Sequence, residues 1–160
     1  MRYAFTSLLG SVLLTMCTVA FGCSATPVAP QKLVARAEAI YLVQANGYQT
    51  EPASGVRGAG GLIRFSVVST LKGPKADSLR ISGRLTSKPD PNDVPIPYEF
   101  VRPDGRKGDC VATAYMTGQH YLVFLQMGTP YWAPLSAVNE QVSGVHDPWV
   151  LWAQQELRRR

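Results

Sequence analysis

The 160-residue sequence lacks the motifs of several common enzyme classes. Its two histidines, His120 and His146, stand far apart and do not show the histidine spacing of a metal site. Gly58 and Gly60 match the first two glycines of a dinucleotide-binding fingerprint, but Ile63 occupies the third position. No phosphate-binding glycine loop, internal repeat or coiled-coil heptad is present. An enzyme is therefore the least expected class of protein, and we expect no cofactor.

The positive charge of the chain is concentrated at one place. The formal net charge is +5, and three of the positive charges are the consecutive residues Arg158, Arg159 and Arg160. Without these three, and without Arg2 at the start of the chain, the remainder is nearly balanced. Nucleic-acid binding needs a basic face on the fold itself. We therefore expect no nucleic-acid partner and interpret the three arginines as a solvated or membrane-proximal tail.

Long apolar runs are also scarce, and the one that could be mistaken for a membrane span lies at the N-terminus. Met1 and Arg2 precede an apolar stretch over 3–21 that is interrupted by serine, threonine and glycine. This pattern is typical of a secretory signal peptide rather than a permanent span. We predict a signal peptide at 1–22 and one domain over 23–160. The protein is then exported, to the periplasm or the extracellular space.

Three ways of processing this leader remain open. Ala20-Phe21-Gly22 fits the small-x-small rule of ordinary signal peptidase, which would cut before Cys23. The same residues together with Cys23 resemble a bacterial lipoprotein box, in which Cys23 would be lipidated and would anchor the protein to a membrane. Cleavage after Cys23-Ser24-Ala25 would instead produce a chain that begins at Thr26. Cleavage before Cys23 is favoured.

Cysteine is rare, and its count bears on the cleavage site. The sequence has three cysteines, of which Cys17 lies inside the leader. Cleavage before Cys23 would leave Cys23 and Cys110, and an even pair in an oxidising compartment is typical of a disulfide. Cleavage after Ala25 would leave Cys110 as a lone thiol. A Cys23–Cys110 bridge would contribute on the order of 4 kcal/mol in the chain-entropy model and would fasten the N-terminus to the body.

The body of the chain has the pattern of short β-strands separated by glycine and proline. In the second of these strands Ile63, Phe65 and Val67 fall on one face, and this alternation indicates a half-buried strand. The segment 46–61 is predicted to be a mobile hairpin connection, and the proline-rich segment 86–108 a long surface loop. The predicted strands are 37–45, 62–71, 78–82, a pair at 110–115 and 121–126 joined through Met116-Thr117-Gly118, and a further short strand at 131–135.

A helix is predicted at the end of the chain. Asp147 is a suitable N-cap and Pro148 a suitable first helical residue, so we expect a helix from Trp149 to about Arg159. Asn139-Glu140 is interpreted as a polar turn before this helix, and its residue types indicate no particular chemistry. The predicted fold class is mainly β, an OB-like barrel of five to six strands with a C-terminal helix. The helix residues expected to face the barrel are Trp149, Trp152, Ala153 and Leu157.

The segment from Cys23 to Gln31 is the one around which we predict the function. A cysteine at a new N-terminus offers an α-amine, a backbone carbonyl and a thiol. Pro27 and Pro30 each fix φ near −65° and remove a backbone donor, so the segment is expected to be stiff and extended. A stiff terminal segment loses little freedom when it docks, and this favours binding.

On these residues the chain resembles the N-terminal domain of the tissue inhibitors of metalloproteinases, within the netrin-like group. The resemblance implies an OB-like barrel and a Cys23–Cys110 bridge. The family's other N-terminal cysteines fall on Ala25 and Ala35, and its second domain has no counterpart, so we expect a bacterial-type single-domain relative. The matching features are Cys23-Ser24, Pro27-Val28-Ala29-Pro30-Gln31, Ala37-Glu38-Ala39-Ile40, and Cys110 followed by Tyr121-Leu122-Val123.

The resemblance also implies that the protein inhibits a zinc metalloprotease. The α-amine and carbonyl of Cys23 would bind the partner's zinc at its open position and displace the water needed for hydrolysis, while Ser24 would enter the substrate pocket. The alternative is an envelope lipoprotein, anchored at Cys23, with a structural or protein-binding role. The two exclude one another because acylation removes the amine. The implied inhibitory wedge consists of Cys23, Ser24, Ala25, Thr26, Pro27, Asp109 and Cys110.

Overall fold

The structure, a computed structural model, describes residues 29–54, 60–97, 102–107, 112–126 and 138–160. Within these ranges no helix is long and apolar enough to cross a membrane. The elements, in chain order, are α1 (Pro30–Arg36), β1 (Ala39–Thr50), β2 (Gly61–Lys72), β3 (Ser78–Leu85), a 3-10 helix (Pro103–Lys107), β4 (Ala114–Tyr115), β5 (His120–Leu125), β6 (Val138–Val142) and α2 (Pro148–Arg158).

The six strands form one sheet in the order β4-β3-β2-β1-β5-β6. Neighbouring strands are antiparallel, except that β3 and β4 are parallel. The β1–β2 ladder contains several register shifts, and such irregularities bend and twist a strand pair. The sheet is consequently curled into a half-barrel. This confirms the predicted mainly β fold with a C-terminal helix.

The curl is visible in the aromatic residues on the concave face. Tyr115 lies on β4 and Tyr121 on β5, which are four strand spacings apart, or about 19 Å in a flat sheet. Their ring centroids are 5.1 Å apart, in an edge-to-face arrangement. The ring of Phe65 from β2 lies 5.0 Å from that of Tyr115. These three rings therefore form the centre of a core inside the curl, with Ile63 beside them as the alternation predicts.

A second core lies between the opposite face of the sheet and the two helices. Along β1, Ile40 and Leu42 face the helices while Tyr41 and Val43 face the concave side, as the two-residue period of a strand requires. Both faces of β1 are thus buried. The helix residues predicted to face the sheet do so, which confirms that prediction: Trp149 and Ala153 are buried, and Trp152 and Leu157 pack against them.

Helix α1 was not predicted. The segment containing Pro27 and Pro30 was expected to be extended, but Pro30 begins a helix, and a proline is well tolerated at a first helical position. The reason for helix formation is tertiary, since Leu33 and Val34 are buried in the core shared with α2. A seven-residue helix would not be stable alone.

The strand predictions hold except in two regions, the pairing of 110–115 and strand β6, which was not predicted. The first strand runs on to Thr50, so the connection to β2 is shorter than the predicted 46–61, and β3 continues to Leu85. The predicted pairing of 110–115 with 121–126 is wrong, because β4 pairs with β3 while β5 has β1 and β6 on its two sides. Gly83 of β3 permits this arrangement, since a Cβ there would collide with the ring of Tyr115. The strand predicted at 131–135 lies outside the described residues.

The predicted start of α2 is confirmed and provides a test of its stability. Asp147 Oδ1 accepts a hydrogen bond from the Trp149 amide at 2.9 Å, and its Oδ2 accepts from the amide and hydroxyl of Ser143. Replacing Asp147 with alanine should lower the free energy of unfolding by about 1 kcal/mol, measured by denaturant titration, because an N-cap acceptor is lost. The same change at the exposed Glu51 should have a much smaller effect. Equal effects of the two changes would contradict a role for the cap.

Candidate functional site

The residues of the predicted wedge all lie outside the described residues. These are Cys23, Ser24, Ala25, Thr26, Pro27, Asp109 and Cys110. Their geometry and the Cys23–Cys110 bridge therefore stay predictions. The structure does describe the backbone that continues from each part of the wedge, from Ala29 onward in one case and from Ala112 onward in the other.

The backbone that follows Cys110 is held by one carboxylate. Asp104 Oδ2 accepts hydrogen bonds from the amides of Thr113 and Ala114, both at 2.9 Å, and Arg84 forms an ion pair with Oδ1. Burial raises the pKa of Asp104, but the two amides and the charges of Arg84 and Arg102 outweigh it and leave the pKa below its ordinary value. Asp104 therefore remains a carboxylate and a strong acceptor at neutral pH.

Asp104 belongs to a segment that spans the gap between the two edges of the curled sheet. We call this segment, residues 90–97 and 102–107, the closing segment. At one end Pro91 forms a parallel bridge with Gln141 of β6, and the Asp90 amide donates to Gln141 Oε1. At the other end Asp104 holds the start of β4. The closing segment thus joins β6 to β4, the two outermost strands of the sheet.

Arg102 is the centre of this closure. Its side chain is fully buried, with Nε and Nη2 donating to Asn139 Oδ1 at 3.2 and 2.8 Å and Nη1 donating to Asp90 Oδ2 at 2.9 Å. The guanidinium carbon lies 5.2 Å from the ring centroids of both Tyr115 and Tyr121, within cation–π distance. The prediction that 86–108 is simply a surface loop is therefore wrong. Proline content predicted the irregular backbone correctly but carried no information about the burial of Arg102.

Asn139 completes the connection between the two edge strands. It lies on β6, and its Nδ2 donates to the carbonyl of Ala112 and to the hydroxyl of Tyr115, both at 3.0 Å. The Asn139 side chain thus forms hydrogen bonds with Arg102, with Ala112 just before β4, and with Tyr115 of β4. Interpreting Asn139-Glu140 as a polar turn was wrong, since both residues are fully buried in a strand.

Glu140 is the unusual member of this cluster. Its Oε2 accepts from Asn92 Nδ2 at 2.9 Å, and among the described residues Oε1 has no hydrogen-bond partner. Burial raises the pKa of Glu140 to about 8, against the opposing effects of the Asn92 hydrogen bond and of the positive charge and backbone amide of Arg102. The nearby charge of Asp90 adds to the increase. Glu140 is therefore largely protonated at neutral pH.

The backbone that follows the N-terminal part of the wedge is also held in place. Pro30, which comes three residues after Pro27, is buried and begins α1. At the other end of α1, Lys72 Nζ donates to the carbonyls of Val34 and Ala35 at 3.1 and 2.9 Å, where the helix dipole favours a positive charge. The chain is therefore fixed within a few residues of the predicted N-terminal wedge.

Sequence reasoning missed the buried polar cluster formed by Arg102, Asp90, Asp104, Asn139 and Glu140. One signal was available: in Val138-Asn139-Glu140-Gln141-Val142 the valines share one strand face, which favours a strand over a turn. The described residues contain no group of three or more histidine, cysteine, aspartate or glutamate side chains that could hold a metal ion. Chemically, the cluster fixes the closing segment and the start of β4.

Comparison with known proteins does not identify a family or a function for this site. No model of a known protein family matches the chain, and a search of curated proteins finds no relative of significant similarity.

Proposed function

We propose that this protein is an exported binding protein that inhibits a zinc metalloprotease and is not itself an enzyme. Its barrel would be OB-like and related to the netrin-like inhibitors. The contact edge would consist of the mature N-terminus, Cys23 to Pro27, with Asp109 and Cys110 beside it. The periplasm or the extracellular space would be its place of action.

The observation that carries this proposal is that both parts of the wedge continue directly into firmly held backbone. The first part leads into α1, which is buried against α2 through Leu33 and Val34. The second leads into residues whose amides are bound by Asp104. A binding edge on fixed supports has little conformational freedom to lose on association, so more of the contact free energy remains as affinity.

The chemistry of inhibition follows from the groups at the mature N-terminus. The α-amine of Cys23 would have a pKa of roughly 8 and would lose its proton readily when it binds a metal. A catalytic zinc in a protease has three protein ligands and one open position, which normally holds the reacting water. The amine and carbonyl of Cys23 would occupy this position together. The bridge to Cys110 would hold them in the orientation needed.

The test is an extension of the mature chain by one alanine before Cys23. The extension turns the Cys23 amine into an amide, which is a poor zinc ligand, so inhibition should weaken by at least about a hundredfold. Inhibition constants are measured against a panel of zinc proteases. One alanine added after Arg160 makes the same change in length away from the wedge and should leave the constants unchanged. Equal inhibition by the two extended proteins, or no inhibition by the unextended one, would overturn the proposal.

Mass spectrometry of the mature N-terminal peptide separates this proposal from the lipoprotein alternative. A free Cys23 amine with its sulfur bonded to Cys110 is the state that the inhibitor requires. An acylated Cys23 would remove the metal ligand and favour an anchored protein with a structural or protein-binding role. A chain beginning at Thr26 would contradict both.

A further inference from the structure

Three separate elements bring basic side chains to one surface. They are α1, the end of β2 and the last turn of α2 with the residues that follow it. We call this surface the basic surface. Its members are Lys32, Arg36, Lys72, Arg158, Arg159 and Arg160.

Direct contacts show that these elements meet. Arg160 Nη2 donates to the carbonyl of Gln31, near the start of α1, at 2.8 Å. Lys72 donates to the carbonyls near the end of α1. Burial and the positive charge of Arg160 lower the pKa of Lys72, as expected for two cations close together. Because α1 is only about 10 Å long, Lys32 and Arg36 lie within about a turn of these contacts.

The excess of positive charge on this surface is large. Glu156 lies 3.6 Å from both Arg159 and Arg160, but its side chain is largely buried while both arginines are exposed. Glu38, just after α1, is the other acidic residue among α1, its following turn and the last two turns of α2. Over these parts of the chain and the two residues after α2, five basic residues thus accompany two acidic ones, and Lys72 at the end of β2 adds a sixth positive charge. The nearly balanced charge expected for the body of the chain therefore conceals a basic face, since Arg160 contacts α1 and brings the C-terminal arginines close to it.

We propose that the basic surface docks on a bilayer that contains anionic phospholipid. Basic residues close to an anionic membrane surface each contribute to binding, and their effects accumulate over a cluster of this size. The surface includes the helix that begins seven residues after Cys23, so a lipid at Cys23 would lie at most about 25 Å from it. A basic patch close to a lipidated residue adds an electrostatic contribution to membrane binding.

This inference goes beyond the proposed function and does not depend on it. With Cys23 acylated, the basic surface would orient the protein on the membrane. With Cys23 free, the same surface would hold an inhibitor at the envelope without a covalent anchor. The sequence alone indicated membrane contact through a lipid at Cys23 or through a membrane-proximal arginine tail. The described residues bring that tail together with α1 and the end of β2 in one contact surface.

The experiment compares binding of the mature protein to phosphatidylcholine vesicles with and without a third of phosphatidylglycerol. Insertion of an acyl chain is insensitive to this difference in vesicle charge, so the comparison isolates the basic surface. The test variant carries Lys32→Gln, Arg36→Gln and Arg158→Gln, all at exposed positions. The matched control carries Arg64→Gln, Arg80→Gln and Lys88→Gln, which change the net charge equally. Arg64 lies opposite Gly47, about 26 Å along β2 from Lys72.

We expect the unaltered protein to bind the anionic vesicles at least about tenfold more tightly than the neutral ones at low salt. The preference should disappear at about 0.5 M salt, where screening shortens to a few ångströms. The test variant should lose the preference and the control variant should keep it, with circular dichroism confirming that both are folded. Equal loss in both variants, or no preference in the unaltered protein, would overturn the proposal. So would equally tight, surface-dependent binding to a soluble polyanion such as dextran sulfate, which would assign the surface to a polyanionic macromolecule.

Discussion

Replacing Arg102 with methionine should lower the free energy of unfolding by about 3–5 kcal/mol, because removing one partner of a buried ion pair leaves the other without compensation. Asp90 would lose its charged donor, and Asn139 Oδ1 would lose two hydrogen bonds in a fully buried position. The cation–π contacts with Tyr115 and Tyr121 would also be lost. Denaturant unfolding at neutral pH measures the change.

Arg106 provides the matched control within the same closing segment. Its ion pair with Asp93 is partly exposed to solvent, and exposed pairs contribute at most about 1 kcal/mol. Arg106→Gln should therefore be nearly neutral. If Arg102→Met is no more destabilising than Arg106→Gln, the buried cluster does not hold the sheet edges together. Hydrogen exchange gives a second measure, because the amides of Thr113 and Ala114 should exchange faster only in the Arg102 variant.

This variant also connects the cluster to the proposed function. Loosening the closing segment frees the backbone that follows Cys110 and increases the conformational freedom that the wedge must lose on binding. Inhibition by Arg102→Met should therefore weaken even under conditions in which the variant remains folded. The N-terminal extension, in contrast, removes the metal ligand and leaves the cluster intact. The two changes separate the support of the wedge from its chemistry.

The elements that the sequence predicted well are those in which local chemistry and tertiary packing agree. Asp147 and Pro148 carry the N-cap and first-position preferences, and α2 begins there. Ile63 and Phe65 carry the alternation of a half-buried strand, and both are fully buried. In each case the residues within one turn or one strand were sufficient to determine the structure.

The elements that it missed depend on partners distant in sequence. Helix α1 forms because Leu33 and Val34 pack against a helix more than a hundred residues later. Strand β4 pairs with β3 because Gly83 leaves space for the ring of Tyr115. Composition and periodicity describe single segments, so neither contact is visible in them.

The polar cluster was missed for a related reason. Charged residues in a proline-rich segment are usually solvated, and nothing in the local sequence distinguishes Arg102 from Arg106, four residues later. Its burial is decided by Asn139 and Tyr115, which follow it in the chain and close around it. The predicted wedge, by contrast, depends on sequence signals in residues outside the described ranges. The N-terminal extension and the mass spectrometry of the mature N-terminus therefore test the wedge.

Glu140 leads to the second large prediction, a loss of stability with rising pH. Its pKa is about 8 in the folded protein, against an ordinary value of 4.5 that applies when the chain is unfolded. Between these values the folded state holds a proton at Glu140 that the unfolded state has released. Stability must therefore fall as pH rises through this window, by up to about 1.4 kcal/mol per pH unit. Above pH 8 the folded protein also loses the proton and the decline ends.

Asp104 acts in the opposite direction and in a different window. Its lowered pKa means that it adds stability above its ordinary value of 3.8, and this contribution is lost as pH falls through its folded-state pKa. The two carboxyls together place the maximum of stability in the mildly acidic range, near pH 4 to 5.

Glu140→Gln isolates the contribution of this one group. Glutamine resembles the protonated acid in shape and can still accept the hydrogen bond from Asn92. The variant should match the unaltered protein within about 1 kcal/mol near pH 5 and exceed its stability by several kcal/mol at pH 8. The free energy of unfolding is measured across this pH range for the unaltered protein, for Glu140→Gln and for the control Glu51→Gln, which changes an exposed residue. If the slope persists in Glu140→Gln, another group causes it. If it disappears there and remains in the control, the ionisation of Glu140 under the closing segment weakens the closure of the sheet as pH rises from about 4.5 to about 8.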